Sequence, residues 1–320
     1  MKYTKLGKNG PKISTVGFGA WGISGQDWGK TDDKVSMQAL HKALDKGVTF
    51  IDTADTYGFG HSEELIAKVI KERGNSDNLV IATKAGNDFY PYLNKQDKHK
   101  ITPINPNYSK EYLISAAEKS LKRLGVETLD ILQLHSPDTE LLERDEPWEA
   151  LETLKKQGKI KQAGWSVRSF MEIEQAFILE RHHDLIDVIQ VRYNLLERDA
   201  EKELFPLALK YGTGVIIRIP ILFGLLAGKF NRNSRFGEDD HRYFNLSPEK
   251  LSAYLDKFDK MKAFFEKYKE YSYAQLSLRF CIAHPAAHVV IPGMKTTKQV
   301  EENTIASDLD FIRYEDFPKL

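Results

Sequence analysis

The stretch F-I-D-T-A-D-T-Y-G-F-G-H-S-E, residues 50–63, decides how the rest of the chain is interpreted. It continues a short apolar run and reaches an acid, Asp52, where a buried strand should end. Tyr57 follows in a turn punctuated by glycines, and Ser62 marks the start of a helix. An acid and a phenol at the exit of a buried strand have no evident folding role. We therefore predict that this turn carries a catalytic acid and the group that tunes it.

Composition limits the classes to which the chain can belong. Its 320 residues include 46 basic and 46 acidic side chains, a balance that gives no electrostatic footprint for nucleic acid or an anionic membrane. No apolar run approaches the length of a membrane span, and the first residues lack the apolar core of a signal peptide. Cys281 is the single cysteine, which excludes an intrachain disulfide and favours a reducing compartment. We expect a cytoplasmic globular protein without nucleic-acid or membrane partners.

Short apolar runs alternate with longer segments of helical periodicity along most of the chain. Residues 2–14 have the pattern of a small hairpin that precedes this alternation. The predicted strands are Val16–Phe18, Thr49–Ile51, Leu79–Thr83, Leu129–Leu134, Gln162–Trp165, Val188–Val191, Val215–Ile217 and Val289–Ile291. The predicted helices lie near 33–46, 62–73, 109–124, 146–157, 169–180, 199–210, 273–283 and 296–306.

Eight strand–helix pairs in strict alternation predict a parallel sheet, and eight is the number that closes a (β/α)8 TIM barrel. The alternative is an open doubly wound sheet with a dinucleotide fingerprint, because Gly17, Gly19 and Gly22 have the G-x-G-x-x-G spacing. No helix is predicted directly after these glycines, and Asp52 comes too late to be the acid of that fingerprint. The pattern therefore favours an α/β barrel, with residues 1–320 as a single domain.

Two connections of this barrel are longer than ordinary loops. They are residues 85–108, after the third strand, and residues 222–268, after the seventh, and the second contains a predicted helix over 248–268. Connections of this length in a compact domain are usually functional, and in a barrel the loops that follow strands carry the active site. We expect both to border the site.

Polar side chains stand where three consecutive strands end. Asp52 and Tyr57 follow the second strand, Lys84 ends the third, and His135 ends the fourth. A phenol has an ordinary pKa near 10, so we expect a nearby Lys84 ammonium, held by Asp52, to lower it. His135 would hydrogen-bond the substrate oxygen or the phenol and orient it.

These four groups can donate a proton to a carbonyl oxygen, and no side chain among them can deliver hydride. The set therefore requires a nicotinamide cofactor. The histidines and acids of the region have no recognisable metal-ligand spacing, so no metal is expected.

The sequence resembles the aldo-keto reductase superfamily nearly from end to end. The motifs that carry the resemblance are G-F-G-A-W at 17–21, F-I-D-T-A-D-T-Y-G at 50–58, A-T-K at 82–84, L-Q-L-H at 132–135, G-W-S at 164–166, Q-V-R-Y-N at 190–194, I-P-I-L-F-G-L-L-A-G-K-F at 219–230 and I-P-G-M-K-T-T-K-Q-V-E-E-N at 291–303. The resemblance implies a catalytic tetrad of Asp52, Tyr57, Lys84 and His135, in which Tyr57 is the general acid and base.

The resemblance also implies an extended nicotinamide dinucleotide across the rim of the barrel. Ser166 and Gln190 would hold its carboxamide, and Arg218 would stack where many members place an aromatic residue. Lys295 and its neighbour Lys298 favour NADP(H), with NAD(H) as the alternative. The residues implied to bind the cofactor are Gly19, Ala20, Trp21, Asp52, Ser166, Gln190, Arg218, Pro220, Leu222, Gly224, Lys229, Arg235, Gly293, Lys295, Gln299, Glu302 and Asn303.

The substrate pocket is predicted from aromatic residues near the same rim, and Trp28 also lies on a loop that faces it. It consists of Trp21, Tyr57, Phe59, Phe89 and His135, and such walls suit aldehydes, ketones and sugars. Three functions remain open. The first is an NAD(P)H-dependent reductase of aldehydes or ketones, and the second is a sugar dehydrogenase that works in the oxidative direction. The third is a cofactor-binding regulatory subunit similar to the potassium-channel β subunits of the family.

Overall fold

The computed structural model of the protein describes residues 1–25, 28, 31–74, 78–93 and 105–319. Two strands form an antiparallel hairpin at the start of the chain, and eight parallel strands form the main sheet in the order in which they occur along the chain. A further antiparallel pair lies in the loop after the third strand of that sheet. The strands are β1 (Tyr3–Lys5), β2 (Lys12–Ser14), β3 (Phe18–Gly19), β4 (Phe50–Asp52), β5 (Val80–Ala85), β6 (Asn87–Asp88), β7 (Asn105–Pro106), β8 (Leu129–His135), β9 (Ile160–Ser166), β10 (Val188–Arg192), β11 (Gly214–Arg218) and β12 (Val289–Val290).

The main sheet curls until its first strand meets its last. Parallel bridges join Val16 to Val290 and Gly19 to Gly293 across this seam. A Cβ atom at Gly19 would lie 2.7 Å from the carbonyl oxygen of Ile291, so the seam needs a residue without a side chain there. The glycines with the dinucleotide-fingerprint spacing therefore serve close strand packing, and the predicted (β/α)8 barrel is confirmed.

Helices follow the barrel strands and cover the outside of the sheet. Their bounds agree closely with the sequence pattern before β5, where Asp32 caps the first helix through its side chain and Gly74 ends the second in a left-handed conformation. The helices are α1 (Asp33–Asp45), α2 (His61–Arg73), α3 (Lys110–Leu124), α4 (Thr139–Leu142), α5 (Glu146–Lys156), α6 (Ala176–His182), α7 (Leu204–Tyr211), α8 (Arg242–Asn245), α9 (Pro248–Asp259), α10 (Lys262–Lys267), α11 (Tyr273–Ala283) and α12 (Thr297–Thr304).

The prediction of a helix over 169–180 is wrong for the first part of that segment. Phe170 has φ 66°, a left-handed conformation that cannot be part of a right-handed helix. The side chain of Gln175 holds the intervening loop, since its amide nitrogen donates to the carbonyl of Pro137 and its oxygen accepts from the backbone of Arg168. As a result α6 begins only at Ala176.

Two other predicted helices are each divided. The segment 248–268 forms α9 and α10, because the chain turns at Met261, whose side chain is buried. The segment 199–210 forms a 3₁₀ turn over Asp199–Glu201 and then α7, with Glu203 in a non-helical conformation between them. The first break places the side chain of Met261 in the core at the expense of helical continuity, whereas Glu203 at the second break is exposed.

The interior of the barrel is apolar at its N-terminal end. Leu6 and Ile13 of the hairpin pack there against strand residues such as Phe50 and Ile131. The hairpin therefore fills that end of the barrel and leaves the C-terminal ends of the strands as the open face. None of the described helices is long and apolar enough to cross a lipid bilayer.

The two long connections lie on the open face. The loop over 222–268 contains α8, α9 and α10. Residues 94–104 of the loop over 85–108 lie outside the described residues.

Candidate active site

The turn after β4 has a backbone that only a few residues can adopt. Gly58, Phe59 and Gly60 have φ values of 60°, 56° and 94° in succession. A Cβ at Gly58 would lie 2.6 Å from the carbonyl oxygen of Ser24, and one at Gly60 would lie 2.5 Å from Cδ of Arg123. The turn is therefore pinned between two other parts of the fold, and it reverses the chain immediately after Tyr57.

A buried ion pair anchors the helix that follows this turn. The Nε atom of Arg123 donates to Glu63 at 2.5 Å, and the hydroxyl of Thr83 donates to the other oxygen of Glu63 at 2.7 Å. Glu63 is fully buried in the first turn of α2. The contact ties α2 to both α3 and β5, so the catalytic turn is fixed at its C-terminal end.

The structure brings Asp52, Tyr57 and Lys84 into direct contact. The ammonium of Lys84 donates to Asp52 at 2.6 Å, to the carbonyl of Thr53 at 2.8 Å and to the hydroxyl of Tyr57 at 3.4 Å. Asp52 and Lys84 are only 2% and 1% exposed. All three donors of the ammonium are thus in use, and one of them reaches the phenol.

The expectation that the pKa of Tyr57 is lowered is wrong, because the pKa is raised in this environment. Burial raises the pKa of the phenol, and Lys84 opposes this rise without cancelling it. Burial also acts to lower the pKa of Lys84, but Asp52 and Tyr57 outweigh that effect and raise it. The site therefore holds a protonated phenol beside a charged ammonium at neutral pH.

His135 completes the group from the end of β8. Its ring stands edge-on to the ring of Tyr57 with centroids 5.8 Å apart, and its Nδ1 atom lies 3.5 Å from the hydroxyl of Thr56. The hydroxyl of Tyr108 donates to the backbone carbonyl of His135 at 2.7 Å and fixes the end of the strand. Burial, together with Lys84 and Arg218, holds the pKa of the imidazole well below its usual range, so the ring is neutral.

A cavity of about 410 Å³ opens above this group. Its walls come from the ends of the barrel strands, the loop after β11 and the loop after β12. The predicted residues that line it are Gly19, Trp21, Asp52, Tyr57, His135, Ser166, Gln190, Arg218, Pro220, Gly224, Lys229, Gly293, Lys295 and Gln299.

Other predicted residues do not line this cavity. Phe89 is buried and stacks on Phe59 with centroids 5.3 Å apart, so the pair packs beside the catalytic turn and not in the pocket. The guanidinium of Arg235 donates to carbonyls of its own loop, at Arg232 and Ser234. The remaining residues outside the cavity walls are Ala20, Leu222, Glu302, Asn303 and Lys84, which is buried and contacts the wall residues Asp52 and Tyr57.

Several cavity residues were not among the predicted pocket residues, although Trp28 was expected to face the same rim. Trp28 packs edge-on against Trp21, and the ring of His241 lies 4.6 Å from Trp21 and 4.2 Å from Trp28. Phe223, with φ 56°, extends the aromatic wall. His241 is buried although its neighbours in sequence, Asp240 and Arg242, are charged, because the folded loop brings its ring onto the two tryptophans. Further lining residues of this kind are Gly22, Ser136, Ile219, Ile221, Phe230, Arg242 and Ile291.

The cavity walls fit an anionic dinucleotide. Lys229 and Lys295 line the cavity, and neither forms a salt bridge within the described part of the chain. Arg218 donates to the carbonyl of Val167 at 2.8 Å and to Ser169 at 3.0 Å, while its Nε atom is buried without a partner. Burial and then Arg192 lower the pKa of Arg218 to about 10, so a nearby anion would stabilise its charge.

No group of three or more potential metal-binding side chains occurs among residues 1–25, 28, 31–74, 78–93 and 105–319.

Comparison with known proteins agrees with this geometry. The family model for the Aldo/keto reductase family matches residues 15–319. The chain is 31% identical to the aldo-keto reductase YhdN of Bacillus subtilis, over 94% of this chain and 87% of that protein. It is 30% identical to a probable voltage-gated potassium channel subunit beta of Arabidopsis thaliana, over 97% of this chain and 92% of that protein. Among solved structures, a glycerol dehydrogenase from Gluconobacter oxydans superposes with a TM-score of 0.76 at 30% identity, over 99% of this chain and 97% of that one.

The fold, the site and these matches define an oxidoreductase of the α/β-barrel class. The chain belongs to the Aldo/keto reductase family, whose members use nicotinamide cofactors and act on small carbonyl compounds.

Proposed function

We propose that the protein is an NAD(P)H-dependent reductase that converts aldehydes or ketones to alcohols, with Tyr57 as the proton donor. The observation that carries the proposal is the three-way contact of Lys84 with Asp52, Thr53 and Tyr57 at the floor of the cavity. A buried ammonium that reaches a phenol stabilises the phenolate left when the proton departs. The contact therefore lowers the energy of proton donation while the resting phenol keeps its proton.

His135 has a separate task in this proposal. Its neutral ring faces Tyr57, and its Nδ1 atom faces the hydroxyl of Thr56. The Nε2 atom is then the nitrogen that donates to the carbonyl oxygen of the substrate. A neutral donor polarises that oxygen without competing with Tyr57 as the acid.

The nicotinamide would supply the hydride when it is bound. Ser166 and Gln190 would hold its carboxamide, and the guanidinium of Arg218 would lie against its ring. Lys229 and Lys295 would pair with phosphates, and this charge supports NADP(H) over NAD(H). Aromatic walls formed by Trp21, Trp28 and Phe223 favour small carbonyl compounds with an apolar face.

The oxidative direction is the second candidate, in which Tyr57 accepts a proton from an alcohol or a sugar hemiacetal. Its support is the likeness to the glycerol dehydrogenase from Gluconobacter oxydans. A regulatory role has support in the likeness to the plant channel subunit. Since all members of the tetrad are present and in contact, we favour an enzyme over a purely regulatory subunit.

The location and domain organisation complete the proposal. A single cysteine and balanced charge support a cytoplasmic protein, and the continuous barrel supports one domain.

The test is a steady-state assay of nicotinamide absorbance with a panel of aldehydes, ketones and the matching alcohols. We expect reduction to exceed oxidation in kcat/KM, and NADPH to exceed NADH. The variant Lys295→Met should raise KM for NADPH more than for NADH, whereas Lys122→Met, at an exposed residue of α3 outside the cavity wall, is the matched control. No turnover with any carbonyl would refute the proposed enzyme, and faster turnover with NADH would refute the cofactor preference.

A further inference from the structure

The floor of the cavity contains a hydrogen bond that joins two parts of the site. The amide nitrogen of Gln190 donates to the second carboxylate oxygen of Asp52 at 2.6 Å. The first oxygen of Asp52 accepts from Lys84, also at 2.6 Å. Asp52 and Gln190 are 2% and 1% exposed, so this bond is shielded from solvent.

The bond spans the barrel. Gln190 lies on β10 and Asp52 ends β4, and the two strands are separated in the sheet by β5, β8 and β9. Their side chains therefore meet across the interior and not along a strand pair. Since a carboxylate only accepts hydrogen bonds, the amide nitrogen faces Asp52 and the amide oxygen of Gln190 remains available to other groups.

Two donors thus fix both oxygens of Asp52. A carboxylate with one fixed oxygen can rotate about its last side-chain bond, whereas two donors from opposite directions hold its plane. The orientation of Asp52 sets the position of the Lys84 ammonium, whose third hydrogen bond reaches the hydroxyl of Tyr57. Gln190 is therefore one end of a continuous chain of buried contacts that ends at the proton donor.

We propose that Gln190 is a positioning residue for proton transfer, which orients Asp52 and through it Lys84 and Tyr57. This role is additional to the cofactor contact, and it rests on the proposed function of Tyr57 as the acid. Because Gln190 also lines the cavity, the same amide would link binding of the nicotinamide to the position of the proton donor, Tyr57.

The sharpest test is the variant Gln190→Glu, which keeps the length of the side chain. A neutral carboxyl can donate a hydrogen bond to Asp52 as the amide does, whereas an ionised carboxyl cannot donate and repels the carboxylate. We expect kcat at saturating cofactor to approach the wild-type value in acid. It should then fall by about tenfold for each pH unit above the pKa of the introduced carboxyl. The kcat of the wild type should not show this fall with rising pH.

The variant Gln190→Met is the control for loss of the donor without a new charge. We expect its kcat at saturating cofactor to be lower by about tenfold or more at every pH, since hydrogen bonds to charged groups are the stronger class. A cofactor contact alone predicts a different result. In that case both variants would raise the Kd of the cofactor, measured by quenching of tryptophan fluorescence, and leave kcat at saturation unchanged. That outcome overturns the proposal.

Unfolding of the cofactor-free protein gives a readout that needs no activity. Burial and Asp52 would raise the pKa of the introduced carboxyl above its unfolded value, near 4.3. The folded state then binds the proton more tightly, so the Tm of Gln190→Glu relative to wild type should fall as pH rises through that window. A constant difference in Tm, or a fall of equal size in the Asp52→Asn background, would overturn the Gln190–Asp52 contact. If the wild type reduces no carbonyl, the proposed function fails, while this titration still tests the contact itself.

Discussion

Removal of the Lys84 charge should destabilise the fold, and a second substitution should restore it without restoring activity. In Lys84→Met, Asp52 stays buried at 2% exposure and keeps the Gln190 amide as a donor, while its 2.6 Å bond to the ammonium is lost. Removing one partner of a buried ion pair costs about 3–5 kcal/mol, because the remaining charge has no compensation. We expect a loss of this size in the free energy of unfolding.

The double variant Asp52→Asn with Lys84→Met replaces the pair with two neutral side chains of similar volume. Such replacements are often close to neutral in stability. We therefore expect the double variant to regain most of the loss, with a coupling energy of about 2 kcal/mol or more in the double-mutant cycle. Neither variant should reduce carbonyls at a measurable rate, because the phenol has lost its ammonium.

Urea unfolding followed by circular dichroism measures the free energy of unfolding, and nicotinamide absorbance measures the rate of carbonyl reduction. A Lys84→Met variant as stable as the wild type would show that Asp52 does not need the ammonium. A double variant less stable than both single variants would show that the ion pair contributes net stability that neutral groups cannot replace.

Three further predictions concern the seam, the histidine and the anchor of the catalytic turn. Gly19→Ala should destabilise the barrel by about 1–3 kcal/mol in urea unfolding, because its Cβ would meet backbone oxygens. The control Gly293→Ala has no atom within 4 Å of the added Cβ and should stay within about 0.5 kcal/mol of wild type, so equal losses in the two variants would contradict the prediction. His135 should stay neutral between pH 8 and about pH 6 in an NMR titration, because burial and two cations hold its pKa well below its usual range, and protonation near pH 6.5 would contradict the account. Arg123→Met should cost about 3–5 kcal/mol of stability in urea unfolding by leaving Glu63 buried without its cation, and a loss below 1 kcal/mol would show that this ion pair does not hold α2 in place.

The sequence indicated the barrel because buried strands and helices each leave a periodic pattern, and the pattern of β4 and β5 needed no tertiary information. The proximity of Asp52, Tyr57, Lys84 and His135 was predictable for the same reason, since these residues stand at the ends of consecutive strands and so meet at one face. The helix at 169–180 failed because apolar spacing does not report the positive φ of Phe170.

Contacts between residues far apart in the sequence could not be predicted from sequence patterns. Nothing in the spacing of residues places His241 on Trp21, because the loop over 222–268 must fold first. The bond between Gln190 and Asp52 joins residues 138 positions apart, and only barrel closure brings them together. The pKa of Tyr57 was misjudged because burial, which outweighs Lys84, depends on the completed cavity floor.

Tyr57 is the proposed proton donor, and the variant Tyr57→Phe removes only the hydroxyl that would carry the proton. The measurement is kcat for carbonyl reduction at saturating cofactor, with cofactor Kd from tryptophan fluorescence as the control. We predict a fall in kcat of about 10²- to 10⁴-fold, the usual contribution of a general acid, with the Kd unchanged. A rate within about threefold of wild type would contradict the mechanism, because Lys84 and His135 would then suffice without the phenol.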